Sequence, residues 1–387
     1  MRSDKVSVIG AGIAGITTAY YLAKAGIDVE IIDREKHPAM GTSYANGGQI
    51  SVSNSETWNS YRNIWKGIKW LTNKSAPLRI NITPSWEKYS WLIKFLSEVP
   101  NADKNTIETC LMAIESRELY KKIEIEENIS FDSVKKGILH FYKSQKEFNH
   151  ALNANKIYSK AGLNREVLTI EEIHNLEPSL ILHNIIGGLY TESDFTGDIH
   201  KFCQELANKL KKEYRVKVLQ EEITSLKDIE NLVVVCAGTG SKRLAKTVGD
   251  HLPIYPVKGY SITIKDPQKA PWVSLLDDEA KIVASRLGQD RLRVAGTAEF
   301  NGYNMDIPDE RIQPLIDWVQ NNSPDTNISN IETWTGLRPM TPNMMPIVRK
   351  SRKFSNIWYH TGHGHLGWTL SAYTAKTITE KIIKDLV

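Results

Sequence analysis

Three glycines and one acid carry the first chemistry in this chain. Gly10, Gly12 and Gly15 follow the apolar run Lys5 to Ile9, and Asp33 closes a second run that starts at Asp28. Gly10 permits a tight turn, Gly12 lets a ligand approach the backbone, and Gly15 lets a helix pack close to a sheet. Ile9, Ala11, Ile13 and Ala14 complete the turn. A helix starting there aims its free N–H groups at negative charge, which suits a pyrophosphate. Asp33, 18 residues after Gly15, can accept hydrogen bonds from a ribose. A glycine turn alone is common. With both strands and the acid in order, the pattern reads as a dinucleotide site.

The same unit serves NAD and FAD, so the residues beyond Asp33 and Arg34 must decide between them. Gly41 to Ser51 (GTSYANGGQIS) is a polar, glycine-rich loop where a flavin's ribityl chain and ring would extend; its other reading is a plain surface loop. Arg338 lies in GLRPMTP, read as a proline-rich turn that aims its side chain. A guanidinium is the natural bidentate partner of a carboxylate, and the alternative is a structural salt bridge. Tyr260, in VKGYSIT, either lines a substrate site and bonds the same carboxylate or is a half-buried strand tyrosine. His360, His363 and His365 have spacing that suggests metal, but no acid or cysteine lies near, and the glycines around His363 favour a loop under a ring. No metal is expected.

The elements that position these residues follow from periodicity. Ile13, Ile16, Thr17, Tyr20 and Tyr21 recur at helical spacing and Gly26 ends the helix, between two short buried strands. A length of 387 residues suits two domains sharing a cleft. The net charge of +4 is too mild for a nucleic-acid partner. Cys110, Cys203 and Cys236 are far apart, which suggests neither disulfides nor zinc and fits a reducing compartment. Val6 to Ala23 mimics a signal sequence but has no cleavage site after it, and cutting there would destroy the glycine motif. No apolar run reaches transmembrane length.

Five segments together resemble the D-amino-acid dehydrogenase family (small-subunit type), within the FAD-dependent D-amino-acid oxidase and glycine oxidase group. They are residues 8–26 (VIGAGIAGITTAYYLAKAG), 42–51 (TSYANGGQIS), 255–264 (YPVKGYSITI), 334–342 (WTGLRPMTP) and 361–369 (TGHGHLGWT). The resemblance covers nearly the whole chain. It implies a mixed α/β fold: a Rossmann-like FAD-binding domain and a mainly antiparallel substrate domain. The expected division is 1–85, 155–240 and 335–387 for FAD, with 86–154 and 241–334 for substrate. It implies that Thr42 and Ser43 lie near the phosphates and ribityl chain, and that Asn46, Gly47, Gly48, Gln49 and Ile50 run along the ring. Ile223 would meet the adenine, and Ala237 and Gly238 would pack on the nucleotide. Gly362, His363, Gly364, His365, Leu366, Gly367, Trp368 and Thr369 would open a helix beside the flavin pyrimidine. Arg338 would hold the substrate carboxylate beside the flavin.

The implied reaction is FAD-dependent oxidative deamination of D-amino acids to 2-oxo acids and ammonia, with electrons passed to a quinone or other carrier. Glycine, sarcosine, D-proline or hydroxyproline are alternative substrates, and a non-catalytic flavin-binding subunit is a reading of another class. Three departures from the family pattern stand out. Asn343 replaces an acid and Arg349 a glycine, which is expected to disturb backbone near the flavin. Ala372 to Ala375 replace a glycine-serine-glycine run, and the segment from Ile223 to Val233 is short.

Five of the ten tryptophans fall between Trp58 and Trp91, among Lys66, Lys69, Lys74, Arg79 and Lys88. Trp58, Tyr61, Trp65 and Ile68 recur near helical spacing. This stretch reads either as packing between domains or as a basic, aromatic surface resting on anionic lipid to meet a quinone. The expected location is cytoplasmic, with the inner membrane face as the second reading.

Overall fold

A computed structural model describes residues 5–70, 76–227 and 229–386. Lys74 and the side chain of Ile68 lie outside what it describes. The chain opens with β1 (Lys5–Ile9), α1 (Ile13–Lys24) and β2 (Asp28–Asp33). There follow β3 (Gln49–Ile50), α2 (Tyr61–Trp70), β4 (Leu78–Ile80), α3 (Trp86–Ser97) and the long α4 (Ala102–Glu126). Next come β5 (Ile138–Tyr142), α5 (Gln145–Lys160), β6 (Glu166–Leu168), α6 (Ile170–Leu176), β7 (Gly187–Thr191), β8 (Phe195–Thr196) and α7 (Ile199–Lys212). Then β9 (Lys217–Gln220), β10 (Leu232–Val235), α8 (Ser241–Thr247), β11 (Tyr255–Lys265), β12 (Ser274–Asp277), β13 (Ile282–Leu287) and β14 (Arg291–Phe300) succeed one another. The chain closes with α9 (Asp309–Asn322), β15 (Ile331–Met340), β16 (Ile347–Lys350), β17 (Ile357–Thr361) and α10 (Gly367–Leu386).

Two sheets organise these elements. The first has the order β16-β17-β10-β1-β2-β9, parallel except at β16. Its central strands are apolar on both faces because helices cover both, as parallel crossovers require. Val8, Ile31 and Val234 are fully buried, each worth about 1.5–3 kcal/mol of burial. Helix α1 packs on α10 and α7 beside it, with Tyr20, Phe202 and Trp368 in one core. β9 leads to β10 with no strand between them among the described residues, consistent with the short segment after Ile223.

The second sheet runs β15-β11-β14-β13-β12-β5-β7-β6, with β4 added beside β14. Its pairings are antiparallel apart from β12 with β5 and β14 with β4. A Rossmann-like layer and a mainly antiparallel layer are therefore both present. The chain crosses between them more often than the expected division: β6 and β7, inside 155–240, belong to the second sheet. Helix α4, inside 86–154, packs on α10 beside the first.

Three local expectations change. Arg338 lies on strand β15, where a turn was expected; the edge position of β15 tolerates Pro339, since a proline there removes no ladder hydrogen bond. Trp58 precedes α2 instead of sharing its face, and its ring stacks on His365 at 4.7 Å. Arg349 sits on edge strand β16 with its guanidinium over the Tyr359 ring, away from the cleft, so it displaces no backbone there.

Candidate active site

The glycine turn is built by close contact. Gly10 has φ +106°, and a Cβ there would come within 2.7 Å of the Cys236 carbonyl oxygen. A Cβ on Gly15 would stand 1.8 Å from the Gly10 carbonyl oxygen, so the helix starts directly against the turn. The Ile13 N–H donates to Ser43 Oγ at 3.1 Å, which brings the Gly41–Ser51 loop over the start of α1. Asp33 accepts from the backbone N–H groups of Ala11 and Glu35, locking the end of β2 to the turn.

The loop itself lies on the second sheet. Ser261 of β11 donates to the Ala45 carbonyl at 2.7 Å and Ser285 of β13 to that of Gly47 at 2.6 Å. Asn46 Oδ1 accepts from the Gly48 N–H, and Gly48 has φ +73°. A Cβ on Gly47 would come within 2.9 Å of Val283. Thr42 donates to the Leu337 carbonyl, Gln49 to Ser274, and Ile50 is fully buried beside them. The loop is thus held between the two sheets, and the plain-surface reading is excluded.

A cavity of about 1420 Å³ runs through this junction. Its wall includes Ile9, Gly10, Gly12, Ile13, Ala14, Asp33 and Arg34 from the first unit, and Thr42, Ser43 and Asn46 to Gln49 from the loop. Ile223, Ala237, Gly238, Tyr260, Arg338 and the whole run from Gly362 to Thr369 also line it. Ala11, Gly15 and Ile50 do not line it and act through the backbone and packing. Residues more than 300 positions apart in sequence therefore share one wall.

Arg338 is enclosed on all sides except the cavity. Its Nη1 donates to the Thr297 carbonyl at 2.9 Å, and no carboxylate pairs with it among the described residues. Burial lowers its pKa to about 10, which leaves it charged at neutral pH. The guanidinium passes over Gly259, where a Cβ would stand 2.3 Å from Nη2. Gly259 is the neighbour that a cross-strand diagonal demands, since Val257 pairs with Arg338 in the ladder. An unpaired cation held this way has room for one external anion. The hydroxyl of Tyr260 donates to Glu299 and its ring packs with Leu315 and Arg311 of α9, so its side chain is committed to the core on the far side of the sheet and is not available to bond a substrate carboxylate.

The tail loop folds against the same strand. Met340 bridges to His363, and a Cβ on Gly364 would meet Met340 Sδ at 2.8 Å. His360 and His363 both bond Thr374 Oγ1, at 2.8 and 2.9 Å. Thr374 belongs to the run replacing glycine-serine-glycine, so that departure supplies a partner to two buried imidazoles. Burial holds His360 well below the usual histidine range and His363 at about 4. His365 is lowered to about 3 by burial first and by the Arg338 charge second, with its ring facing the Asn54 backbone. All three rings are neutral at physiological pH, hence poor candidates for charge and good ones for shape. Among the described residues no cluster of three or more ligating side chains could hold a metal.

Three features escaped the sequence reading. Gly259 carried a signal, since a glycine inside an apolar strand marks close approach. Lys281 and Asp278 stand on the cavity wall 3.2 Å apart, and Asp278 continues to His140 and Ser53 at 3.2 and 3.0 Å. They come from a hairpin turn that matches no motif. The third, Trp58, was visible only as part of an aromatic stretch.

The cavity suits an elongated, phosphate-bearing cofactor. Its first end has a helix N-terminus without a side-chain cap from its own N-cap residue Gly12, and glycines that could carry no side chain. Comparison with known proteins agrees. A family model described as FAD dependent oxidoreductase matches residues 5–381. A D-amino acid dehydrogenase 3 from Mesorhizobium japonicum is 48% identical, covering 99% of this chain and 98% of the relative. A D-amino acid dehydrogenase from Dechloromonas aromatica is 38% identical, covering 98% and 96%. Among solved structures, an L-proline dehydrogenase from P. horikoshii superposes with a TM-score of 0.77 at 17% identity, covering 99% of this chain and 94% of that one. A glycine oxidase from Geobacillus kaustophilus gives 0.76 at 18%, covering 97% and 94%.

Proposed function

The chain belongs to the FAD dependent oxidoreductase family, and from that premise we propose that it catalyses the oxidative deamination of D-amino acids. FAD, when bound, supplies the two-electron oxidant. The glycine turn and the N-terminus of α1 would hold its pyrophosphate, Asp33 its ribose and Ile223 its adenine. Thr42, Ser43, the loop from Asn46 to Gln49, and the run from Gly362 to Thr369 would hold the remainder.

Arg338 is the observation that carries the reading. It binds the substrate carboxylate through two parallel hydrogen bonds and so fixes the orientation of Cα. Neutral His363 and His365 leave its charge uncompensated by protein, so the carboxylate is the group that completes the site. Enclosure between the sheets keeps water from the reacting bond until the imino acid leaves and hydrolyses to the 2-oxo acid and ammonia. Anaerobic mixing of the yellow holoenzyme with D- and L-alanine tests this directly. Bleaching by the D-enantiomer is expected, and bleaching by neither, nor by any other D-amino acid, would overturn the reading.

A membrane quinone is the electron acceptor that this reading favours. Trp65, Trp86, Ile82 and Ile93 are 65%, 84%, 78% and 64% exposed on α2, α3 and the segment between them, with Lys69 and Lys94 beside them. Exposed aromatic and aliphatic side chains with nearby lysines in sequence suit the interface of an anionic bilayer and a membrane quinone there. No helix among the described residues is long and apolar enough to cross a membrane. The protein is expected to sediment with vesicles containing anionic phospholipid, and the double change Trp65→Glu, Trp86→Glu to abolish this. Equal sedimentation of both proteins would count against the surface.

A further inference from the structure

The cavity that Arg338 faces is also lined by Ile64 and Gly67 of helix α2. The Thr297 carbonyl that holds Arg338 is followed at once by Ala298, which pairs with Leu78 of β4. Leu78 in turn meets α2 at Gly67, where a Cβ would stand 3.0 Å from Leu78 Cδ2. Gly67 thereby lets the helix close down as a roof, and Ile64, one turn earlier, faces the same space. Trp58, stacked on His365, lines the same cavity as Ile64 and Arg338. Arg62 and Lys66 on α2 both pair with Glu147 of α5, which holds the roof in place.

The chemistry of this chamber is one-sided. Trp58, Ile64, Leu78, Trp91 and Phe95 present apolar surface to it. The charges on its floor, Lys281 and Asp278, neutralise each other at 3.2 Å. A second charge on a substrate would find no unpaired counterpart among these residues and would lose its hydration. A methyl group would leave most of the apolar wall uncovered.

Resting on the deamination reading, we propose that the chamber under α2 receives the substrate side chain and selects D-amino acids with large apolar or aromatic side chains. Trp58 and Ile64 are its specificity-determining residues. Each buried methylene or ring is worth about tenfold or more in discrimination.

The test compares kcat/KM for D-phenylalanine, D-alanine and D-glutamate with the holoenzyme and a dye acceptor. The wild type is expected to prefer D-phenylalanine over both by about tenfold or more. Ile64→Trp fills the chamber and is expected to cut D-phenylalanine by about tenfold while D-alanine stays within about threefold. Wild-type preference for D-alanine or D-glutamate overturns the proposal, as does a parallel fall for both apolar substrates with flavin content intact. Should Ile64→Trp lose its flavin, Ile64→Ala decides: a higher KM for D-phenylalanine alone supports the chamber, and unchanged or parallel values refute it. Absence of turnover with every D-amino acid would sink the deamination reading instead. The chamber is then judged by flavin-fluorescence titration, where phenylalanine must bind more tightly than alanine.

Discussion

Arg338→Met is expected to lower kcat/KM for D-amino acids by a factor on the order of 10² to 10⁴ while FAD stays bound. Leaving a buried carboxylate without its cation costs about 3–5 kcal/mol, and each 1.4 kcal/mol is tenfold in rate. The described charged groups nearest Arg338 offer no substitute: Lys281 is already matched by Asp278, and His363 and His365 are neutral. The loss should appear with every D-amino acid alike, because the carboxylate is common to all. Arg338→Lys restores charge without the two-pronged geometry and should recover only part of the activity. Gly259→Ala makes the same point by geometry, since its Cβ would occupy the guanidinium's place 2.3 Å from Nη2. Steady-state kinetics with flavin content measured on the same samples checks all three. Wild-type kcat/KM in Arg338→Met would remove the arginine from the substrate site.

The second large effect belongs to the glycine turn, where neighbouring glycines separate folding from cofactor binding. Gly15→Ala is expected to yield colourless, destabilised protein. Its Cβ would stand 1.8 Å from the Gly10 carbonyl oxygen, and both partners are backbone, so neither can swing aside. Helix and turn must part, at a cost of about 1–3 kcal/mol or more, and the helix N-terminus moves off the phosphate. Gly12→Ala differs. Its Cβ would meet only Ser43 Oγ, at an ordinary 3.4 Å, yet Gly12 faces the cavity. The apoprotein should therefore melt near the wild-type temperature while FAD affinity falls about tenfold or more, because the methyl stands where the pyrophosphate must approach. Flavin absorbance per protein and apoprotein thermal midpoints separate the two. Equal apoprotein stability in both variants would contradict the packing role assigned to Gly15.

The N-terminal unit was legible because its signals are local. Strand, turn, helix and strand occupy residues 5–33, and only a few contacts of the turn, with Ser43 and with Cys236 just after β10, come from outside that span. The loop from Gly41 to Ser51 was legible as to composition but open as to place. Its position between the sheets depends on Ser261 and Ser285, more than 200 residues downstream.

Sequence alone thus determined the dinucleotide turn, the acid that ends β2, and a cationic residue suited to a carboxylate. The shape of the substrate end was decided only in three dimensions. Arg338 reads as a turn residue in sequence because Pro339 usually breaks strands, and only the edge position of β15 makes that proline harmless. Gly259 became part of the site because antiparallel register sets it diagonally beneath the guanidinium. Trp58 left its supposed helical face to stack on His365, 307 residues away in the chain. Lys281 and Asp278 reach the wall through a hairpin without any motif. Short-range periodicity encodes local elements, whereas pairing across sheets depends on register and packing summed over the whole chain.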